Sequence, residues 1–511
     1  MLIQRRRIKF ILYFLCFLTL FLYSCRLPED NPYGKGNFWA INCTTNKPYK
    51  LYADLLVEGV YCDVWAERNK GIDEETARKV ANVYDEEIYE RMIEAFSIEN
   101  FSVNVIEQGQ PVIKSFSNIM EFANWLVNGN GKLNILLLDI KDNYKKGIND
   151  ASVGGYFYGA DFTNYFYSNK RMMIYIDIDP GEPGDERSNR TLAHEMQHLM
   201  NFVTDYLARR DKNNNVYSMD IWINEGLSSA AEYIYVNKHL EDRVYDYYRD
   251  FSGLIARGNN FFVWGNREGT NDGEDINAVL DDYCTVYLFF QWLRIQNGST
   301  DIYKKIIASP FIDYEAVTDV AGKINTDYGN WGKLLKTWMA ANYFNNPNGP
   351  YGYYNELSQE AIKPHYAPKN NKEIALYPGE GVYSITNEDG TVPINGTNIR
   401  YAGLGSTLSD VNIFSGGALL TYNVNAEKIF NNDGTQGGHA ETGVTTGVVP
   451  PSSSVSIVRN SINGGRSALQ SDFAPFQIDA SDMLRRNGFK SGFDKSFNRS
   501  NVVGRGFVIY E

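Results

Sequence analysis

The chain has 511 residues, 43% of them hydrophobic and 14% aromatic, enough to fill the cores of two or three domains. Its formal net charge of -13 is spread along the sequence instead of forming an acidic tail, which favours solubility and excludes an electrostatically driven DNA or RNA partner. At the start, Arg5, Arg6, Arg7 and Lys9 precede an apolar run from Phe10 to Tyr23 that is too short to span a bilayer comfortably. Residues 1–24 therefore read as a cleaved signal peptide, and the remainder as exported.

Leu22-Tyr23-Ser24-Cys25 resembles the lipobox of bacterial lipoproteins. That resemblance implies acylation of Cys25, a membrane partner through the lipid anchor, and a place in the bacterial cell envelope, periplasmic or on the cell surface. An uncleaved signal anchor or a plain secretory signal is the alternative. Residues 25–50 are polar, contain Pro28, Pro32, Gly34 and Gly36, and read as a tether. Setting aside Cys16 and Cys25 leaves Cys43, Cys62 and Cys284, an odd number with no C-x-x-C pair. That excludes a disulfide framework and a ribbon-type zinc site, while a single Cys43–Cys62 bridge stays open.

Asp73 to Phe96 reads as one amphipathic helix capped by Asp73, with Val80, Tyr84, Ile88, Met92 and Phe96 recurring every four residues. Strand-like runs cover Leu51 to Trp65, Lys132 to Ile140 and Arg171 to Asp179. After Gly184 the pattern turns helical over Arg190 to Asp205, Glu225 to Lys238, Asp281 to Ile295 and Trp331 to Asn342. Beyond Pro364 the composition shifts to Gly, Ser, Thr and Asn with short apolar runs, including Gly417 to Asn423 and Val502 to Tyr510, and a loop is expected over Asn431 to Ser454. The expected fold class is α+β: an N-terminal α/β lobe over 51–190, a helical lobe over 191–364 and a β-rich C-terminal domain over 365–511.

The chemistry is concentrated in Thr191-Leu192-Ala193-His194-Glu195-Met196-Gln197-His198. On a helix, residues four apart share one face, so His194 and His198 can reach one ion. Leu192, Met196, Leu199 and Val203 fall on the opposite side as an apolar stripe. Glu195 stands beside the ligand sector without sharing it, where a carboxylate can serve as general base. A catalytic zinc ion needs a third protein ligand and an open position. Trp222-Ile223-Asn224-Glu225-Gly226-Leu227-Ser228 supplies it in Glu225, with Glu232 seven residues further on the same face in a supporting role.

His-Glu-x-x-His followed by Trp-x-Asn-Glu-Gly-x-Ser resembles the gluzincin clan of zinc peptidases, and within it the hyicolysin-like family, over roughly Leu51 to Asn342. The resemblance implies a zincin-like core, one catalytic Zn2+, and hydrolysis of a protein or peptide substrate. It also implies a strand ahead of the metal helix, Arg171 to Asp177, as an edge that pairs with extended substrate. Gluzincins supply a Tyr or His to the oxyanion, and Tyr283 resembles the catalytic tyrosine of the aminopeptidase branch, with a packing role as its alternative. No Gly-x-Met-Glu-Asn element precedes the motif; the equivalent stretch is Gly154-Gly155-Tyr156-Phe157-Tyr158-Gly159, which favours endopeptidase over aminopeptidase action. A non-catalytic surface lipoprotein retaining a peptidase fold is the competing class.

Overall fold

In the computed structural model the described residues are 35–107, 110–147, 152–163, 165–209, 216–250, 253, 255–258, 262, 276–358, 362, 364–367, 373–386, 397–411, 417–426, 441–444 and 507–510. The expected signal segment, Cys25 and the start of the expected tether lie outside them. The architecture is α+β, with an N-terminal mixed sheet, a helical middle and a C-terminal antiparallel sheet.

The N-terminal sheet is built from β1 (Lys35–Asn42), β2 (Lys47–Glu58), β3 (Cys62–Glu67), β6 (Leu133–Leu138), β7 (Ser152–Phe157) and β8 (Met173–Asp177), joined by β15 (Phe507–Tyr510). Its order is β1-β2-β3-β6-β8-β7-β15. β3, β6 and β8 run parallel, and the outer pairings are antiparallel. Every residue of β6 is buried, because the sheet is covered on both faces. Ile135, Leu137, Ile174 and Ile176 face the helices, while Leu136, Leu138, Met173 and Tyr175 face a second core with Phe38 and Trp65. This alternation also settles the cysteines. Cys43 and Cys62 are buried thiols belonging to the two opposite cores, and no bridge joins them.

Three expectations change here. Residues 35–42, expected within the tether, form β1 and bury Phe38 and Ile41, so the sheet begins well before Leu51. The run from Leu51 to Trp65 is a hairpin of two strands, β2 and β3. The strand ahead of the metal helix, β8, is hydrogen-bonded on both sides, to β6 and β7, and therefore has no free edge for a substrate. β7 lies outside it and is itself paired with β15.

Asp73 caps α1 (Glu74–Val83) as expected, and a π-helical turn at Tyr84–Ile88 joins it to α2 (Tyr89–Phe96). β4 (Glu99–Glu107) and β5 (Gln110–Asn118) form a separate hairpin before α3 (Ile119–Val127). The helical middle comprises α4 (Glu186–Ala208), α5 (Ile221–Val236), α6 (Glu241–Arg249), α7 (Ile276–Asn297), α8 (Asp301–Ile307), α9 (Tyr314–Ala321) and α10 (Trp331–Phe344). α4 is not amphipathic in the expected sense: Ser188 to Tyr206 are buried on all sides, as befits a helix threaded through the core.

Within the C-terminal region are β9 (Glu373–Leu376), β10 (Gly381–Thr386), β11 (Ile399–Leu404), β12 (Leu408–Asp410), β13 (Gly417–Asn423) and β14 (Glu441–Val444). Four of them form a sheet in the order β10-β13-β11-β12, and β14 pairs with β9. This sheet rests on α10, where the Tyr383 hydroxyl donates to the Met339 carbonyl at 2.7 Å. Of the expected loop at Asn431 to Ser454, only β14 falls within the described residues. β15, expected in the C-terminal domain, belongs to the N-terminal sheet instead. No helix among the described residues is long and apolar enough to cross a membrane.

Candidate metal centre

α4 begins where the Asp185 carboxylate accepts the Ser188 amide at 2.6 Å, and α5 packs along it. Two glycines set the spacing. A Cβ on Gly155 of β7 would meet Thr191 Cγ2 and the Tyr175 carbonyl at 2.7 Å, so β7 lies directly on α4. A Cβ on Gly226 would meet the Phe290 ring at 2.4 Å, which holds α5 against α7 immediately beside Glu225.

The result brings His194, His198 and Glu225 together, all buried, with one ligand atom from each lying within 4.8 Å of the others. His194 Nε2 is 3.2 Å and His198 Nε2 3.5 Å from the same Glu225 oxygen, Oε2. Ligands bound tetrahedrally to zinc at about 2.0–2.2 Å stand roughly 3.3–3.6 Å apart. The donor set fits such an ion in chemistry, the two histidine–glutamate distances match this spacing, and it is the one group of this kind among the described residues.

Glu195 is fully buried, and its carboxylate is paired with no other side chain, the Phe157 backbone of β7 being the hydrogen-bonding group that reaches it. Burial pushes its carboxyl well above the usual range, opposed by the charge on His194 and reinforced by Glu225. A buried carboxylate with so little compensation is costly. Burial also works to raise Glu225, but the charges and hydrogen bonds of His198 and His194 outweigh it and bring the group down to about 2. Burial opposes a charged His194, yet its hydrogen bonds to Glu225 and Glu232 outweigh this and raise it to about 9. His198 is lowered, chiefly by burial.

Around these donors lies a second set of contacts, one of which fixes the direction of His194. Glu232 Oε1 sits 3.0 Å from His194 Nδ1, leaving Nε2 for Glu225 and the metal position. The Ser228 hydroxyl lies 3.0 Å from His198 Nδ1 and 3.1 Å from its Nε2, and donates to Gln197 Oε1 at 2.6 Å. Tyr283 of α7 reaches the same place: its ring centroid is 6.1 Å from that of His194, and its phenol is hydrogen-bonded to Glu225. Burial holds that phenol well above its ordinary value. Tyr287, one turn later, is used elsewhere, with its hydroxyl accepting the Leu240 amide at 2.9 Å beside His239.

Two arginines escaped the sequence reading. Arg190, one turn before His194 on α4, bonds Glu232 Oε2 through Nε and Nη2 at 3.0 and 2.7 Å. Arg243 of α6 donates from Nη2 to Glu232 Oε1 at 3.1 Å, and its guanidinium carbon lies 4.7 Å from the Tyr283 ring centroid. Arg190 carried a sequence signal, its i, i+4 relation to His194; Arg243 carried none.

The chain is distantly homologous to a metalloprotease. It is 27% identical to the neutral metalloprotease ShpI of Staphylococcus hyicus over 336 residues, 64% of this chain and 67% of that protein. No protein-family model matches.

Proposed function

We propose that this protein is a zinc-dependent endopeptidase in which His194, His198 and Glu225 hold the ion, Glu195 is the general base, and Tyr283 assists the oxyanion. The observation that carries the proposal is the convergence of three buried donors, one ligand atom from each lying within 4.8 Å of the others, beside a buried carboxylate that is paired with no other side chain. Zinc at this position would polarise the scissile carbonyl and lower the pKa of water towards ~7. Glu195, its carboxyl raised by burial, takes the proton from the attacking water and then delivers it to the leaving amine. The Tyr283 phenol, close to Glu225, donates to the oxygen on which negative charge develops. Glu232 directs the His194 imidazole, and the Ser228 hydroxyl lies against the His198 ring.

Endopeptidase action is preferred because β7, which spans most of the stretch Gly154 to Gly159, offers no carboxylate for a substrate amino group near Glu195. The substrate is accordingly an internal bond of a protein or peptide chain. Cys25 carries the lipid in this reading, placing the body at the bacterial envelope, periplasmic or on the cell surface. The competing class, a non-catalytic surface lipoprotein, has no observation of its own in its favour.

The deciding experiment measures zinc content and hydrolysis of casein and of end-blocked peptides, with and without chelator, for the wild type and Glu195→Gln. One zinc per chain in both proteins, with cleavage confined to the wild type and abolished by chelator, supports the proposal. Tight zinc without cleavage refutes the enzyme reading, and cleavage confined to free N-termini refutes the endopeptidase reading. Acyl labelling of wild type against Cys25→Ala tests the anchor.

A further inference from the structure

Glu232 is wholly buried, and both of its oxygens are engaged from three directions. Oε1 takes His194 Nδ1 at 3.0 Å and Arg243 Nη2 at 3.1 Å; Oε2 takes Arg190 Nε at 3.0 Å and Nη2 at 2.7 Å. The Arg190 Nη2 also reaches Asp242 of α6 at 3.1 and 2.9 Å. One ion cluster thus joins α4, α5 and α6 within a few ångströms of the metal position. Arg190 brings two nitrogens of one planar guanidinium to a single oxygen of Glu232 and a further bond to Asp242, a set that the one ammonium nitrogen of a lysine cannot reproduce.

We infer that Arg190 is a positioning residue for the metal site, acting through Glu232: it fixes the rotation of that carboxylate, and the carboxylate fixes the plane of the His194 ring. This inference rests on the zinc reading above. Without Arg190, Glu232 keeps only Arg243, on the oxygen already shared with His194, and the second oxygen loses its anchor. The carboxylate can then turn, and the imidazole turns with it. Burial makes such freedom consequential, because His194 has no solvent to substitute for the lost bond. A purely structural cluster would instead tie the three helices together while leaving the ligand geometry unaffected.

The two accounts separate when metal affinity is measured apart from folding. In the full chain, the zinc dissociation constant is determined by chelator competition, and the visible spectrum of the Co2+-substituted protein is recorded. The proteins are wild type, Arg190→Lys, Arg190→Met, Glu232→Gln and the Arg190→Met/Glu232→Gln double variant. Loss of a group that orients a metal-bound histidine weakens binding about 10- to 100-fold. Arg190→Met is expected near the lower end, with a shifted cobalt spectrum. Arg190→Lys should recover only part of the affinity, and the double variant should bind no more weakly than Glu232→Gln alone, since both substitutions break one path.

Wild-type affinity and an unchanged cobalt spectrum in Arg190→Met, whatever its stability to urea, would overturn the inference. So would losses that simply add in the double variant. Should Arg190→Met fail to fold, Arg190→Lys against wild type carries the same comparison. A wild-type chain that takes up no zinc would defeat the metal reading itself, and the inference with it.

Discussion

Replacing Gly226 by alanine sets two physical effects of opposite sign against each other. In a helix interior, alanine is favoured over glycine by about 1 kcal/mol, so propensity alone predicts that Gly226→Ala stabilises the protein. The structure predicts the reverse. The new Cβ would lie 2.4 and 2.5 Å from two Phe290 ring carbons, about 1 Å inside ordinary contact. The ring cannot swing aside easily, because Phe290 is buried and flanked by Trp222 and Phe289. Overpacking of this kind costs about 1–3 kcal/mol, so a net destabilisation of up to roughly 2 kcal/mol is expected. The strain falls on the residue next to Glu225, and zinc affinity should fall with stability. Urea denaturation and chelator competition on the same preparation measure both. A variant more stable by about 1 kcal/mol, with unaltered zinc binding, would refute the claim that close packing on α7 sets the Glu225 position.

Glu225→Ala removes the third donor and should reduce zinc affinity far more than Arg190→Met, read by the same competition assay. Tyr283→Phe should lower kcat about 10²-fold with little change in KM if the phenol serves the oxyanion, and leave both constants unchanged if it only packs. Asp161 is buried against the Tyr175 hydroxyl and the Asn169 amide, and burial raises its carboxyl to about 7. Its folded value lies above the unfolded one, so the unfolded chain ionises first. Stability should fall as pH rises between about 4 and 7, by roughly 1.4 kcal/mol per pH unit from this group. Asp161→Asn should flatten that slope, which denaturation at several pH values tests.

Much of the metal group was readable because its parts are local. His194 and His198 need only the period of a helix, and Glu225 stands in a short segment whose Trp222 and Gly226 have clear packing roles on α7. The clamp on Glu232 was less accessible. Arg190 shares the helix of His194, but Arg243 arrives from α6 after a change of direction that no periodicity announces. The edge of the N-terminal sheet was misassigned for a similar reason. The apolar run ahead of the metal helix fits an inner strand as well as an outer one, and β15 joins the sheet from some 350 residues further along the chain. The two cores that separate Cys43 from Cys62 follow from alternation along strands whose pairing the sequence does not display.

Since α4 runs through the interior on every side, the chemistry and the core share one set of atoms, and mutations at the centre will tend to confuse loss of function with loss of fold. Titration separates what mutation confuses. A metal that binds only the folded chain stabilises it by mass action, by about 2.7 kcal/mol at a free concentration one hundred times its dissociation constant. The melting curve of the metal-free protein against added zinc is therefore a direct gauge of site occupancy, available before any substrate is known.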